Sequence, residues 1–200
     1  MNLVRPSPVG LPGVAIFIVG LFAFIVAVFA ARRRRARGGV ETVSQRRSAS
    51  WGWIVVQGIG VGLAGFGPLA VTLDPASPRA LGQAVSVALL IGGAVWLFHA
   101  SSRAMGANWS LVARTRDDHA LVRSGPFAYV RHPIYVAIFL IMIAMAIAYG
   151  HLANLIVAVP VFALGTWMRI GHEERLLRHA FGPAYDDYAH DVKRFVPGLF

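Results

Sequence analysis

LPGVAIFIVGLFAFIVAVFAARRRR, residues 11–35, is the stretch that decides the fold. Residues 11–31 carry no charge, and four arginines follow at once. Crossing the hydrocarbon of a bilayer takes about 20 apolar residues at about 1.5 Å of helical rise each. Backbone polar groups cannot stay unpaired in that medium, and the alternating pattern of a membrane-spanning strand is absent, so the run reads as a transmembrane helix. It is longer than the usual apolar core of a cleaved leader, about 7–15 residues, and arginines occupy the place where cleavage would occur. It is therefore read as a retained helix.

Four further apolar segments lie downstream. They are Trp51–Leu73, opened by the interfacial pair Trp51 and Trp53, then Leu81–Ala100, Pro133–Tyr149 and Leu152–Met168, the last two separated by Gly150 and His151. The expected fold class is an all-α integral membrane protein with five transmembrane helices, a cytoplasmic cofactor-binding loop and a C-terminal amphipathic helix. Gly58, Gly60, Gly62, Gly65, Gly67, Gly92 and Gly93 suit close helix packing, while Pro68 and Pro160 are expected to kink their helices. Composition agrees: 56% of the 200 residues are apolar and 14% charged, against roughly 25% charged in a soluble domain. A soluble globule and a disordered chain are both excluded. There is no Cys, so no disulfide framework, thiolate nucleophile or cysteine zinc site exists, and no metal site is read.

The formal charge of +10 is placed as a membrane protein places it. Seven basic residues fall in 32–50, five in 101–132 and five in 169–200, leaving only Arg5 and Arg79 for the opposite side. The positive-inside bias puts the N-terminus outside and the C-terminus in the cytoplasm. The Arg32–Arg37 cluster reads as a topology anchor that meets anionic lipid, with no nucleic-acid partner. The lack of Cys, the Arg-rich composition and the frequency of Gly and Ala point to a GC-rich bacterial genome and its inner (plasma) membrane. Oligomeric state is not legible.

Reactive side chains concentrate in two cytoplasmic pieces, HALVRSGPFAYVRHPIY (119–135) and RIGHEERLLRHAFGPAYDDYAHDVKRFVP (169–197). In the first, Gly125-Pro126 forces a turn, Phe127, Tyr129 and Tyr135 offer aromatic faces, and Pro133 suits the first turn of a helix. His132 then sits beside unpaired helix N–H donors that favour an anion. In the second, Arg169 and Glu173 share a helix face and can pair, and Glu174 points in an adjacent direction. Leu176, Leu177, Ala180 and Phe181 form an apolar stripe, and Gly182-Pro183 ends that helix. Taken alone, Arg131 also fits a further charge anchor, His132 a packing residue, and the acidic pair a solvated helix face. Gln57 and His99, the main polar side chains within the spans, read as packing or interface contacts.

These two pieces resemble the isoprenylcysteine carboxyl methyltransferase family and, more distantly, the membrane phospholipid methyltransferases. The resemblance is carried by Leu121-Val122, Ser124-Gly125-Pro126-Phe127, Arg131-His132-Pro133-Ile134-Tyr135, Arg169, Glu173-Glu174, Leu177, Phe181-Gly182, Tyr185, Tyr188 and Pro197. It covers about residues 105–197, so the chain divides into three N-terminal helices (1–100) and a methyltransferase-like half (101–200). The resemblance implies a membrane transferase of class EC 2.1.1 that uses S-adenosyl-L-methionine. It places His119, Ala120, Leu121, Val122, Phe127, Arg131, His132, Pro133, Ile134 and Tyr135 at the cofactor. Arg169 corresponds to the arginine facing the methyl acceptor, and Glu173 or Glu174 to the acid completing the site. Two departures stand out: Phe127 replaces the usual Tyr, and Val112 falls near a position where eukaryotic members place Gln.

The implied reaction is in-line methyl transfer to a lipophilic small-molecule, prenylated or lipid acceptor at the cytoplasmic face, with carboxyl methylation of isoprenylcysteine type foremost. A carboxylate acceptor needs a positive partner, which Arg169 provides through two hydrogen bonds. An amine or thiol would instead require a base among Glu173, Glu174 and His132. Two alternatives stand beside this reading. One is a membrane NADPH-dependent sterol-type reductase, which has a similar C-terminal end; the other is a non-enzymatic membrane scaffold.

Overall fold

The computed structural model describes residues 6–37, 51–106 and 121–199. Helix α1 covers Leu11–Arg37, α2 Trp51–Ala64, α3 Pro78–Met105, α4 Pro133–Tyr149, α5 Leu155–Phe181 and α6 Pro183–Asp191. Single 3-10 turns at Gly125–Ala128 and Leu152–Asn154 precede α4 and α5.

Three helical stretches are long and apolar enough to cross a bilayer: Leu11–Arg34, Pro78–Met105 and Leu152–Phe181. The other two apolar helices are shorter, 17 residues in α4 and 14 in α2. Fourteen residues rise only about 21 Å, against a hydrocarbon thickness of about 30 Å. The segment read from sequence as one helix to Leu73 stops at Ala64, where Gly65-Phe66-Gly67-Pro68 breaks the helical hydrogen bonding. Pro68 is therefore outside any helix and kinks none, whereas Pro160 does lie inside α5. Beyond the break, β2 (Val71–Leu73) pairs in parallel with β1 (Val9–Gly10). This small sheet is an element that the all-α expectation omitted.

Successive helices alternate in direction. At one end of the bundle Gly10 N donates to Gln83 Oε1, and Gln83 Nε2 donates to the Ile147 carbonyl, which ties the start of α1, the start of α3 and the end of α4. Asn154 Nδ2 joins the same end, donating to the carbonyls of Leu63 and Phe66. At the other end Arg34 Nη2 donates to Ser102 Oγ, linking the close of α1 to the close of α3. Gly150, in left-handed conformation at φ +75°, terminates α4 and lets the hairpin into α5 begin.

Helix α4 is the central element. One face packs with α1 and α3 around Phe17, Val87, Ile91, Phe98, Ala137 and Ile141. The other packs with α2 and α5 around Met142, Ala146, Ala158 and Phe162. Its alanines let both neighbours come close, which is the packing logic of helices in lipid, where apolar burial alone gives little drive. The outer faces carry Ile18, Phe22, Phe29, Leu89, Trp96, Ile156 and Leu164 exposed. That is the reverse of a soluble surface and suits contact with lipid tails.

A polar cavity at the helix ends

Helix α5 does not stop where its apolar run ends at Met168. It continues through Arg169–Phe181 into the polar end of the bundle. The residues read from sequence as an amphipathic surface helix are this extension, and the separate helix that follows Gly182 is α6. The N-terminus of α4 lies against the extension, with His132 in the N-cap position and Pro133 in the first turn.

Between them is a cavity of about 150 Å³. Its polar side is formed by Arg131, His132, Tyr135, Arg169 and Glu173, and its apolar side by Phe24, Val28, Phe98 and Ile138. Phe127, Pro133, Ile134 and Met105 complete the lining. The structure thus gathers onto one space all eight of the positions Phe127, Arg131–Tyr135, Arg169 and Glu173 that the two sequence pieces supply. The two glutamates separate: Glu173 faces the cavity, while Glu174, 1% exposed, is buried behind it. Tyr129 is 69% exposed and is not among the lining residues, so its expected place as an aromatic wall is corrected. Leu121 and Val122 are half-buried just before the 3-10 turn. His119, Ala120 and Val112 lie outside the described residues.

Tyr135 links the charged groups. Its hydroxyl donates to Glu173 Oε2 at 3.0 Å, and its ring lies 5.1 Å beneath the Arg169 guanidinium. Arg169 and Glu173 are thereby brought to opposite parts of one aromatic side chain. His132, 5% exposed, has Nε2 at 3.2 Å from Glu174 Oε1 and Nδ1 at 3.9 Å from Glu173 Oε2. Arg131 approaches Glu174 to 3.6 Å, and its Nε is buried without a hydrogen-bond partner among the described residues.

The C-terminal segment closes this end. Val130 and Lys193 form a parallel bridge, Arg131 N donates to the Lys193 carbonyl, and His132 N donates to the Arg194 carbonyl. Arg194 then reaches Glu174 through two side-chain hydrogen bonds. Its own pKa is raised by that hydrogen bonding first, with partial burial opposing. Tyr188 of α6 donates to the Phe127 carbonyl at 2.7 Å, and Arg123 hydrogen-bonds the Ala184 carbonyl. Burial pushes the Tyr188 hydroxyl up to about 12, against the pull of Arg131 and Arg123.

Two partners were not legible as site residues. Gln57 of α2, assigned to packing, accepts from Arg169 Nη1 at 2.6 Å and donates to Thr166 at 2.8 Å. Arg194 was counted only as a basic tail residue. For Gln57 a signal existed, since an amide in an apolar span requires a partner; for Arg194 there was none beyond its proximity to the aromatic residues.

Residues 83–184 match the model of the phospholipid methyltransferase family, just over half of the chain and including every polar residue of the cavity. The chain belongs to the phospholipid methyltransferase family. Among curated relatives it is similar to the protein-S-isoprenylcysteine O-methyltransferase of Schizosaccharomyces pombe, 35% identical over 92 residues, 44% of this chain and 37% of that one. It is similar to the mouse (Mus musculus) protein of the same name, 38% identical over 98 residues, 46% of this chain and 33% of that one. It is also similar to the nickel-cobalt-cadmium resistance protein NccN of Alcaligenes xylosoxydans xylosoxydans, 31% identical over 116 residues, 58% of this chain and 53% of that one. The matched stretches span between about a third and about half of these relatives' own lengths. Within this family member, the arrangement pairs a cation held over an aromatic ring with a carboxylate, beside an apolar wall. That combination can bind an amphipathic molecule by its charged head.

Proposed function

We propose that this family member is an integral membrane methyltransferase that moves a methyl group from S-adenosyl-L-methionine to a lipophilic acceptor at the cytoplasmic face, with a carboxyl acceptor of isoprenylcysteine type foremost. The observation that carries the reading is the two-sided cavity, in which Arg169, Tyr135 and Glu173 face Phe24, Val28 and Ile138. A head group and an apolar chain are both provided for. The cavity lies at the same end as the Arg34–Ser102 contact, next to the basic segments, which supports the cytoplasmic assignment.

The donor set suits the methyl donor. The buried Arg131 Nε, which has no hydrogen-bond partner among the described residues, fits a carboxylate such as that of its amino-acid part. Phe127 and Tyr135 present ring faces that favour a cationic centre by about 0.5–2 kcal/mol. His132, Pro133 and Ile134 at the α4 N-terminus, with Leu121, Val122, His119 and Ala120 before them, complete the proposed binding set. The donor supplies an already activated methyl group, so the protein's task is alignment and exclusion of water. Arg169 holds the acceptor carboxylate by a planar two-point contact, and no proton need be removed from it. Glu173, held by Tyr135, fixes the opposite wall.

The deciding experiment is calorimetry on the detergent-purified protein with S-adenosylmethionine, S-adenosylhomocysteine and NADPH, followed by labelled methyl transfer to a prenylcysteine analogue. Binding of the first two with label appearing in a base-labile ester is the expected result. Binding of NADPH alone assigns a reductase, and binding of none of the three assigns a scaffold.

A further inference from the structure

The family match begins at residue 83, so α2 lies outside it. This helix nevertheless reaches the cation of the cavity through one side chain. Gln57 is 4% exposed; its Oε1 accepts from Arg169 Nη1 at 2.6 Å, and its Nε2 donates to Thr166 Oγ1 at 2.8 Å. Both ends of the amide are thus engaged, which fixes which end faces the arginine.

The backbone is shaped for this contact. A Cβ on Gly165 would sit 2.6 Å from Gln57 N and 3.0 Å from the Trp53 carbonyl oxygen. One on Gly60 would sit 2.5 Å from Phe162 N. Glycines on both helices therefore bring α2 and α5 into backbone contact directly beside Gln57, within reach of the Arg169 side chain one turn further along α5. Glycines on α2 without such neighbours, Gly52, Gly58 and Gly62, face open space. The close approach is local to the Gln57 level and to Gly60 one turn below it.

The chemistry of the contact is equally specific. A guanidinium holds its five N–H donors in one rigid plane, so a bond from it to an amide oxygen sets the orientation of the whole fork. Tyr135, 5.1 Å from the guanidinium carbon, supports its face. A neutral amide orients the cation without cancelling its charge, as a carboxylate in that place would.

We propose that Gln57 is a positioning residue that sets the Arg169 guanidinium for an anionic acceptor group, so that α2 governs acceptor recognition. This rests on the reading of Arg169 as the group facing the methyl acceptor. The test compares the full chain with Gln57→Leu, using a prenylcysteine analogue as acceptor and S-adenosylhomocysteine as binding probe. The expected result is an acceptor KM raised about tenfold, kcat changed less than about twofold and unchanged S-adenosylhomocysteine affinity. In an Arg169→Ala background, followed by labelled methyl transfer, the same substitution changes kcat/KM less than about twofold. Thr166→Val, which is nearly isosteric, shifts KM in the same direction by about two- to threefold and serves where Gln57→Leu does not fold. A tenfold loss that persists without Arg169, or a parallel fall in S-adenosylhomocysteine affinity, overturns the positioning role alone. Failure of the wild-type protein to bind S-adenosylhomocysteine overturns the methyltransferase reading and this inference with it.

Discussion

Glu174 and Arg194 meet fork to fork: Arg194 Nε donates to Glu174 Oε1 at 2.9 Å and Nη2 to Oε2 at 2.7 Å. The arginine arrives from the C-terminal tail, its guanidinium 4.7 Å from the Trp167 ring, and the glutamate is buried on α5. The backbone of the same tail residue accepts from His132 N. One residue therefore joins the tail, the α5 extension and the N-terminus of α4, which places the ion pair directly behind the cavity.

Loss of this pair is strongly asymmetric. Arg194→Met keeps an apolar stem against Trp167 but leaves Glu174 buried with, among the described residues, His132, Arg131 and the distant Arg178 as its remaining cationic or hydrogen-bonding neighbours. Breaking a buried pair from one side costs about 3–5 kcal/mol, here reduced because Arg194 itself is partly exposed. The expected outcome is a thermal midpoint lower by several degrees and faster proteolysis of the tail, while Glu174→Gln has a smaller effect. Equal midpoints for Arg194→Met and wild type would show that the tail is held by its backbone bonds alone.

Tyr188 gives a pH signature. Burial raises its hydroxyl to about 12 from an ordinary value of 10.0. The neutral hydroxyl donates to the Phe127 carbonyl, so its contribution is complete below pH 10 and is lost as pH rises through 12. Tyr188→Phe removes the bond at all pH values and is expected to lower stability by about 1 kcal/mol at neutral pH. Alkaline titration followed by near-ultraviolet absorbance and thermal shift should show wild type and variant converging only above the shifted pKa. Parallel curves to the end of the titration would mean that ionisation of Tyr188 does not govern the alkaline limb.

The parts of the fold that were legible are those where one segment determines its own structure. The run 11–31 has no alternative to a helix in lipid, and Pro133 after His132 announces the start of α4. The end of α2 was obscured because the apolar run continues to Leu73, and hydropathy does not distinguish helix from extended chain; Gly65, Gly67 and Pro68 were the better signal. β1 and β2 are two and three residues long, too short for any periodicity. The motif residues were legible as a set, since Arg131–Tyr135, Arg169 and Glu173 lie at the ends of a single hairpin. Gln57 lies 112 residues from Arg169, and only the packing of α2 on α5 makes it a partner. The division of labour between Glu173 and Glu174 likewise depends on where α4 docks, which adjacent positions in a sequence do not reveal.

A substitution at His132 tests which side of the cavity takes the proposed methyl donor. It lies at the α4 N-cap, with the Glu174 carboxylate at 3.2 Å on one ring nitrogen and Glu173 at 3.9 Å from the other. On the proposal that the methyl donor binds at this helix end, His132→Ala is expected to weaken S-adenosylhomocysteine binding about tenfold and to raise the acceptor KM about twofold or less. Calorimetry and steady-state kinetics on the same preparation measure both. A larger change in acceptor KM than in donor affinity would mean that the two halves of the cavity are assigned in reverse.

The guanidinium of Arg169 is held by shape as well as by charge. Gln57 takes one of its nitrogens at 2.6 Å, and its carbon lies 5.1 Å from the Tyr135 ring centre. Lysine at this position retains the positive charge but neither the plane that stacks nor the rigid fork of parallel donors that a bidentate carboxylate needs. Arg169→Lys is therefore expected to lose about 100-fold in kcat/KM for a carboxyl acceptor, with S-adenosylhomocysteine affinity within about twofold of wild type. Labelled methyl transfer across a range of acceptor concentrations checks it. Turnover close to wild type in the lysine variant would mean that the acceptor needs only a nearby positive charge, and an amine or thiol acceptor activated by Glu173 would then become the better assignment.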